Sequence, residues 1–250
     1  MWKLLLERVR QGHRTMAWPD GPPPPLPERF RGAPAIDRAR CEPGCAACVA
    51  ACPTDCITLD PPAVDLGRCL FCTDCTDACP TGAIAHGRAF SLGSRTREGL
   101  ASGAPPPLQP LEGGLLRLFG RSLKLRQVSA GGCNACEADT NVLGTVGWDL
   151  GRFGVQFVAS PRHADGILVT GPVSANMELA LRKTWEAIPA PKLVIAVGAC
   201  AIAGGPFRGH PEVNDGVDGL VPVDLYVPGC PPHPLTILDA LLRLLGRVEG

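Results

Sequence analysis

The sequence has 250 residues, of which 45% are hydrophobic, and its 24 Lys and Arg residues balance 24 Asp and Glu residues. This length allows one large domain or two small ones, and the hydrophobic content is ordinary for a protein with a packed core. The balanced charge produces no overall field that would favour nucleic acid or an acidic substrate, so we expect no nucleic-acid partner.

Thirteen cysteines are many for a chain of this size. They would fit either a secreted disulfide scaffold or a set of thiolates that bind metal in a reducing compartment. Residues 1–14 contain no apolar run of signal-peptide length with a small-residue cleavage site after it. No stretch approaches the roughly 18 apolar residues of a membrane span. We therefore expect a cytoplasmic chain with reduced cysteines.

The first predicted element is a short, basic amphipathic helix over residues 2–16. Its apolar residues recur at helical spacing, namely Trp2, Leu5, Leu6 and Val9. This helix would pack on the chain's own core, on a partner subunit or on a membrane surface. The Pro-rich stretch PDGPPPPLPERFRGAP that follows predicts an extended arm. We assign residues 1–35 to an amphipathic helix and a docking arm.

A cysteine-dense block extends from Cys41 to Cys79 and contains an internal repeat. CVAACPTDCITLD and CTDACPTGAIAHG align cysteine on cysteine and CPT on CPT, which indicates a two-fold duplication. The second half has the spacing C-x2-C-x2-C-x3-C-P, the ligand run of bacterial ferredoxins. Closely spaced cysteines can wrap one face of a cluster, and the proline turns the last thiolate away from it.

The spacing predicts two 4Fe–4S clusters that exchange their fourth ligands. The first is assigned to Cys41, Cys45, Cys48 and Cys79, and the second to Cys52, Cys69, Cys72 and Cys75. Three residues rather than two separate Cys41 from Cys45, so Cys41 departs from the pattern. Cys56 is left over, either as a buried thiol that binds no iron or as a substitute ligand. The alternative is zinc, which requires four ligands per ion and no duplicated Cys-Pro ending.

A second stretch rich in Pro, Gly and Ser, GSRTREGLASGAPPPLQPLEGG, indicates a domain boundary. We predict a small α+β ferredoxin domain at 36–90, a linker at 91–114 and an α/β domain at 115–250. Five apolar runs in the last domain look like strands buried on both faces, namely LKLRQVSA, VQFVAS, GILVTG, KLVIAVG and DLYVPG. ANMELALRKTWEAI and PLTILDALLRLLGRVE have helical periodicity. The alternation predicts a flavodoxin-like parallel sheet with helices on both faces.

The last four cysteines each follow one of these strands. Cys133 and Cys136 lie in GGCNACEAD, Cys200 in VGACAIAGG and Cys230 in VPGCPPHP. Sites in an open parallel sheet form outside the carboxyl ends of its strands, so the four thiols should converge. Four thiolates beside glycines suit a third cubane cluster. The alternative is that Cys200 and Cys230 are small core residues.

Two parts of the chain resemble known families. Residues 36–90 resemble two-cluster bacterial ferredoxins, and FRGAPAIDRARC resembles the arm before the ferredoxin domain in formate-hydrogenlyase-type complexes and in complex I. Residues 120–250, through CNACE, ASPRHADGILVTGPVSANM, VGACAIAGG and VPGCPPHP, resemble the small subunit of energy-converting nickel–iron hydrogenases of the formate-hydrogenlyase and hydrogenase-4 kind. They also resemble the homologous 20 kDa terminal-cluster subunit of complex I. The chain therefore looks like a fusion of two modules that are separate subunits in the hydrogenase complexes.

Details within this family favour the hydrogenase side. Complex I places its first two ligands as adjacent cysteines, whereas Asn134 and Ala135 separate them here. Ala135 stands where glycine is common in hydrogenases, and His233 stands where arginine is frequent. These departures leave open a divergent complex whose large subunit has lost the nickel site.

The resemblance implies an electron-transfer subunit without catalytic residues of its own, which relays electrons through three 4Fe–4S clusters. The implied partners are the hydrogenase large subunit, or its homologue, and membrane-embedded antiporter-like subunits. Through these partners the chain would be peripheral on the inner face of the cell membrane. Glu137 is a candidate proton relay by family analogy, or a residue that hydrogen-bonds its own loop. His233 would tune the third cluster through its charge or simply be exposed.

Two other functions remain as alternatives. The nearer one is a subunit of a complex I-like NADH/quinone oxidoreductase, which the partner large subunit would distinguish from a hydrogenase. The other is a soluble iron–sulfur redox sensor or scaffold, which would be monomeric and would have no large partner.

Overall fold

The computed structural model describes residues 2–12, 14–101 and 105–248. They form a helix with an extended arm, a small cysteine-rich unit and a larger unit built on a parallel sheet. Within these ranges, none of the helices has the length and the apolar character that crossing a bilayer requires.

The chain begins with helix α1 (Trp2–Gln11), which is shorter than predicted. The Pro-rich arm follows without regular structure, as predicted, and it packs on the chain's own core. The Trp18 side chain is buried and contacts the ring of Phe90 edge to face. Arg152 donates hydrogen bonds to the carbonyls of Met16 and Trp18 at 2.8 and 2.6 Å. In contrast to the arm, α1 has no buried residue.

The cysteine-rich unit consists of two antiparallel strand pairs and two short helices. Its elements are β1 (Pro34–Ile36), α2 (Ala47–Ala51), β2 (Ile57–Leu59), β3 (Pro62–Val64), α3 (Asp74–Asp77) and β4 (Ile84–His86). β1 pairs with β4, and β2 pairs with β3. Each of the two helices carries one cysteine of a predicted cluster.

The larger unit is built on a five-stranded sheet. Its elements are α4 (Gly113–Phe119), β5 (Leu123–Ser129), α5 (Ala135–Val142), β6 (Val155–Phe157), β7 (Gly166–Thr170), α6 (Ala175–Glu186), β8 (Leu193–Val197), α7 (Ala199–Ala203), β9 (Leu225–Val227) and α8 (Pro234–Leu244). The strand order is β6-β5-β7-β8-β9, and all neighbours pair in parallel. This is the 2-1-3-4-5 order of flavodoxin-like sheets, so the predicted fold class is confirmed.

Alternate residues of the central strands enter two separate cores, because side chains in a strand point to opposite faces. In β7, Ile167 and Val169 contribute to a core that includes Leu181 of α6. Leu168 contributes to a second core, which is dominated by α8. β7, β8 and β9 are buried along their whole length, as predicted. β5 and the edge strand β6 keep partly exposed residues, so the prediction holds only for the other three strands.

The first core continues from the sheet into the cysteine-rich unit. Leu66 and Phe71 of that unit belong to the same cluster of buried residues as Ile167. The segment predicted as a linker lies between the two units: Leu92 is buried, and the backbone of Ser94 exchanges two hydrogen bonds with that of Tyr226 at 3.0 and 2.8 Å. This segment is therefore packed against both units. Part of the linker prediction, at 102–104, lies outside the described residues.

A two-point ion pair joins this segment to the cysteine-rich unit. The guanidinium of Arg97 donates to both carboxylate oxygens of Asp65, at 2.8 and 2.6 Å, and about a fifth to a quarter of each side chain is exposed. We expect Arg97→Met to destabilise the chain by roughly 1–3 kcal/mol, because it leaves the Asp65 carboxylate partly buried without its partner.

The measurement is the apparent melting temperature under argon at a fixed scan rate. A loss of about 1 kcal/mol corresponds to roughly 2–4 °C for a chain of this size. Lys183→Met is the matched control, because the Lys183–Glu186 pair is 69% and 55% exposed and should contribute little. Equal shifts in the two variants would contradict the prediction.

Candidate iron–sulfur sites

Five thiols line one small cavity in the cysteine-rich unit. They belong to Cys52, Cys56, Cys69, Cys72 and Cys75, that is, to the four predicted ligands of the second cluster and to the left-over cysteine. Burial raises the pKa of Cys75 to about 11, and the neighbouring thiols of Cys72, Cys56 and Cys52 add to the rise. Iron binding at this cavity would therefore release protons from the thiols.

The predicted ligands of the first cluster form a separate group in the same unit. Burial raises the pKa of the Cys48 thiol, and the nearby thiols of Cys79 and Cys41 raise it further. Cys41 and Cys45 line an open cavity of about 380 Å³. The structure thus brings Cys41 close to the others despite its irregular spacing, and it separates Cys79 from the cysteines that precede it in sequence.

The two CPT sequences form the same local cradle. The backbone N–H of Cys56 donates to the sulfur of Cys52 at 3.4 Å, and that of Ala83 donates to the sulfur of Cys79 at 3.2 Å, each from four residues further along the chain. The N–H of Ile84 is the main cause that lowers the pKa of Cys79 to about 7. Backbone donors directed at sulfur are what a cluster-bound thiolate requires.

Cys56 lies in the cavity of the predicted second cluster, beside the four proposed ligands. Its sulfur is 3.4 Å from that of Cys52. A hydrogen bond to Cys69 and burial together raise the pKa of the Cys56 thiol far above its usual range. Burial also raises the pKa of the proposed ligands Cys75 and Cys200, so the pKa does not set Cys56 apart from them. Its position does, because Cys56 is equivalent to Ala83 of the second CPT repeat, whose N–H bonds the Cys79 sulfur and whose side chain carries no thiol.

We therefore expect Cys56→Ala to keep about twelve iron atoms per chain, as three four-iron clusters require. The measurement is iron and acid-labile sulfide after anaerobic purification. Cys52→Ala is the matched comparison, because Cys52 lies in the same cavity and is a predicted ligand. A loss of about four iron atoms in Cys56→Ala would instead make Cys56 a ligand.

The four remaining cysteines meet at the carboxyl edge of the parallel sheet. Cys133 follows β5, Cys136 lies in the first turn of α5, Cys200 lies at the start of α7 directly after β8, and Cys230 follows β9. Burial raises the pKa of Cys200 to about 12, and the thiols of Cys230 and Cys133 raise it further. The pKa of Cys136 is raised by burial and then by Cys200 and Cys230. The structure therefore brings all four thiols together.

The thiol group at the sheet edge opens to the surface. Cys200 is buried and Cys136 is half-buried, whereas Cys133 and Cys230 are exposed. Cys200 and Cys136 form the inner part of the group, and Cys133 and Cys230 form its rim. A cluster held here would lie at the protein surface, within reach of another protein.

Glycine is required where the backbone passes close to these sulfurs. Gly198 follows β8 and has φ of +92°, and a Cβ atom on it would lie 2.5 Å from the sulfur of Cys136. A Cβ atom on Gly205 would lie 2.7 Å from the sulfur of Cys200. Both glycines also have positive φ, which other residues rarely adopt. The backbone is therefore shaped around the thiol group.

Glu137 follows Cys136 and is buried beneath the loop. Its Oε1 atom accepts hydrogen bonds from the hydroxyls of Ser129, at 2.5 Å, and Thr170, at 2.7 Å. Burial alone would raise the pKa of Glu137, but the two hydroxyl donors outweigh it and lower the pKa. An ionised carboxylate held in this way is a weak proton acceptor at neutral pH. Ser129 is the last residue of β5 and Thr170 the last of β7, so Glu137 bonds the two strand ends beneath its loop, and the proton relay stays a prediction.

His233 caps the start of α8. Its Nδ1 atom accepts a hydrogen bond from the backbone N–H of Leu235 at 3.1 Å, and its ring contacts Phe30 and Trp148 edge to face. Burial lowers the pKa of His233. The imidazole is therefore neutral at physiological pH, with its proton on Nε2, and this argues against tuning of a cluster through its charge.

The ferredoxin cavity and the sheet-edge group are neighbours. Cys230 is exposed as a residue, but it lines a cavity whose walls partly remove water from its thiol and so raise its pKa, and the thiols of Cys133 and Cys72 raise the pKa further. Cys72 belongs to the cavity of the predicted second cluster. Phe71, next to Cys72, and Cys230 line the same cavity between the two units. No sequence signal indicated this proximity, because the two cysteines are far apart in the chain and lie in different units.

The backbone donors at the thiols suit iron–sulfur clusters. A four-iron cluster takes one thiolate at each iron, and it also uses N–H donors like those at Cys52 and Cys79.

Comparisons with known proteins assign both units to families. Residues 133–244 match the family of the 20 kDa subunit of NADH ubiquinone oxidoreductase. Residues 40–83 match the 4Fe–4S dicluster domain.

Similar proteins include subunits of several complexes. A probable membrane-bound hydrogenase subunit of Pyrococcus furiosus is 42% identical, over 54% of this chain and 80% of its own length. Formate hydrogenlyase subunit 7 of Escherichia coli is 39% identical, over 60% of this chain and 61% of its own length. A subunit of the NADH-quinone oxidoreductase of Heliobacterium modesticaldum is 41% identical, over 48% and 69%. A chain of the archaeal membrane-bound sulfane sulfur reductase matches with a TM-score of 0.47 and 32% identity, over 53% and 73%.

Proposed function

The chain belongs to the family of the 20 kDa subunit of NADH ubiquinone oxidoreductase, and from this membership we propose that it relays electrons through three 4Fe–4S clusters to or from the large subunit of a membrane-associated nickel–iron hydrogenase or a related complex. It is an iron–sulfur electron-transfer subunit of the kind found in hydrogenases and complex I-like assemblies. Each cluster, when bound, takes or gives one electron, so no residue of this chain needs to act on a substrate.

The proposed ligands form three sets of four. They are Cys41, Cys45, Cys48 and Cys79 for the first cluster, Cys52, Cys69, Cys72 and Cys75 for the second, and Cys133, Cys136, Cys200 and Cys230 for the third. The observation that carries the relay is the proximity of the Cys72 and Cys230 thiols across the boundary between the two units. This proximity supports direct electron transfer between the second and the third cluster.

Two further features support the surfaces at which the relay would meet its partners. The rim of the third site, Cys133 and Cys230, is exposed, which suits contact with a large subunit. The open cavity at Cys41 and Cys45 suits exchange with an external donor or acceptor. The shared core and the Arg97–Asp65 pair hold the two units in one arrangement, which a relay between fixed sites requires.

The nearest alternative is a quinone-reducing, complex I-like assembly. The two residues between Cys133 and Cys136 support the hydrogenase side. The sequence of the large subunit that co-purifies with this chain separates the two functions, because two nickel-binding C-x2-C pairs indicate a hydrogenase and their absence indicates the alternative. Membrane-embedded subunits of the same complex are further proposed partners, as the similarity to a membrane-bound hydrogenase subunit suggests.

Iron and acid-labile sulfide analysis of the isolated chain, with EPR of the reduced form, tests the proposal. We expect about twelve iron atoms and interacting spin signals, because three clusters lie in one chain. About eight iron atoms would restrict cluster binding to the ferredoxin unit and would overturn the three-cluster relay. A stable monomer that never co-purifies with a large subunit would favour the redox sensor instead.

A further inference from the structure

Helix α1 presents an apolar face that no other part of the described chain covers. Four residues form this face, with exposed fractions of 79%, 55%, 63% and 80% for Trp2, Leu5, Leu6 and Val9. At 3.6 residues per turn they fall within an arc of about 100°. Apolar residues at this spacing normally face a core, yet no residue of α1 is buried.

Basic residues border this face on both sides. Around the helix axis, Lys3 and Arg10 lie beside one edge of the apolar arc and Arg8 lies beyond the other, while Glu7 is on the far side. The helix carries three basic residues and one acidic residue, so its net charge is +2. Long basic side chains at the edges of an apolar face can extend their charged ends toward an anionic layer while the apolar residues enter a less polar one.

The length of α1 also indicates that a surface supports it. The helix has ten residues, and an isolated helix of this length is marginal in water. The chain is fixed only a few residues later, where the Thr15 hydroxyl donates to the carbonyl of Val146 and the N–H of Met16 donates to that of Gly147. At that point Val146 is 71% exposed. An apolar residue is thus exposed at the place from which α1 leaves the folded body.

We propose that α1 binds directly to an anionic lipid bilayer and lies in the plane of its headgroups. Trp2, Leu5, Leu6 and Val9 enter the boundary with the acyl chains, and the basic residues contact phosphate groups. The charges favour lipid over a protein groove, because basic residues on both sides of one apolar face match the continuous anionic plane of lipid headgroups. This inference is independent of the proposed relay and gives the chain a membrane contact of its own.

Flotation of the full, cluster-loaded chain with lipid vesicles tests the proposal. We expect binding to phosphatidylcholine vesicles that contain phosphatidylglycerol, weak binding to pure phosphatidylcholine, and a gain of helical circular dichroism on binding. The double variant Leu5→Glu/Leu6→Glu should bind at least about tenfold more weakly, equivalent to about 1.4 kcal/mol. Leu179→Glu is the matched control: it replaces a 67% exposed leucine on α6 and should bind like the wild type.

A second variant isolates the charges. Lys3→Gln/Arg8→Gln/Arg10→Gln should lose the preference for phosphatidylglycerol, and high salt should reduce wild-type binding, because the screening length falls from about 10 Å at 0.1 M to about 3 Å at 1 M. Equal wild-type binding to both vesicle types, or full binding by the leucine double variant, would overturn the proposal. So would a wild-type chain that ignores vesicles but loses its partner subunits in the double variant, since α1 would then dock on protein.

Discussion

Replacement of both exposed cysteines at the sheet edge, Cys133→Ala/Cys230→Ala, will lower the iron content of the isolated chain from about twelve to about eight atoms. Both side chains lie at the surface, so their loss removes little packing. Cys136 and Cys200 remain, and two thiols cannot hold a cubane that takes four. The ferredoxin unit keeps all eight of its proposed ligands and should keep both clusters.

The same variant should block electron transfer between the chain and its large subunit. The two ferredoxin clusters will still be reduced by dithionite and seen by EPR, but the reconstituted complex will lose at least about a hundredfold in electron-transfer rate, because the only proposed station at the exposed rim is gone. Cys56→Ala is the matched control, since it also removes a thiol but should leave the iron count unchanged. An iron count near twelve in the double variant would refute the third site.

Gly198→Ala should cause a similar loss of iron without removing any ligand. The new Cβ atom would lie 2.5 Å from the sulfur of Cys136, and Gly198 has φ of +92°. Two costs therefore add: a backbone strain of roughly 1–3 kcal/mol and a displacement of a proposed ligand. The sulfur of Cys136 can leave this close contact by rotation about χ1, but that rotation changes the direction in which a proposed ligand points.

Gly209→Ala separates these two costs. Gly209 has φ of +78°, yet nothing lies within 4 Å of the position that its Cβ atom would occupy. This variant should therefore show the backbone strain as a lower apparent melting temperature but keep about twelve iron atoms. Gly198→Ala should show the strain and fall to about eight. If the two variants had the same iron content, the close approach of Gly198 to Cys136 would not matter for cluster binding.

The packed connection between the two units bears on how the relay works. In separate subunits, a gap between electron carriers depends on subunit association, whereas here one core includes Leu66 of the ferredoxin unit and Ile167 of the sheet. The pairing of Ser94 with Tyr226 places the connecting segment against the sheet edge. Loosening this connection, as in Arg97→Met, should therefore affect the relay as well as stability.

The sequence by itself determined the features that depend on local spacing. The CPT repeat indicated a two-fold duplication, and the structure repeats the same local arrangement at Cys52 and Cys79, because the donor to each sulfur lies only four residues away. The apolar runs predicted the strands of the parallel sheet, since burial on both faces requires continuous apolar residues. The positions of Cys133, Cys200 and Cys230 after strands predicted their common edge, because parallel strands end on the same side.

Only the tertiary structure decided how these parts meet. The proximity of Cys72 and Cys230, the lowered pKa of His233 and the packing of residues 91–101 against both units result from contacts between residues distant in the chain. The sequence predicted a linker there, because Pro, Gly and Ser are typical of loops, but buried Leu92 and Leu100 fix it in place. Such contacts are sums of many weak apolar interactions, which leave no local pattern in the sequence.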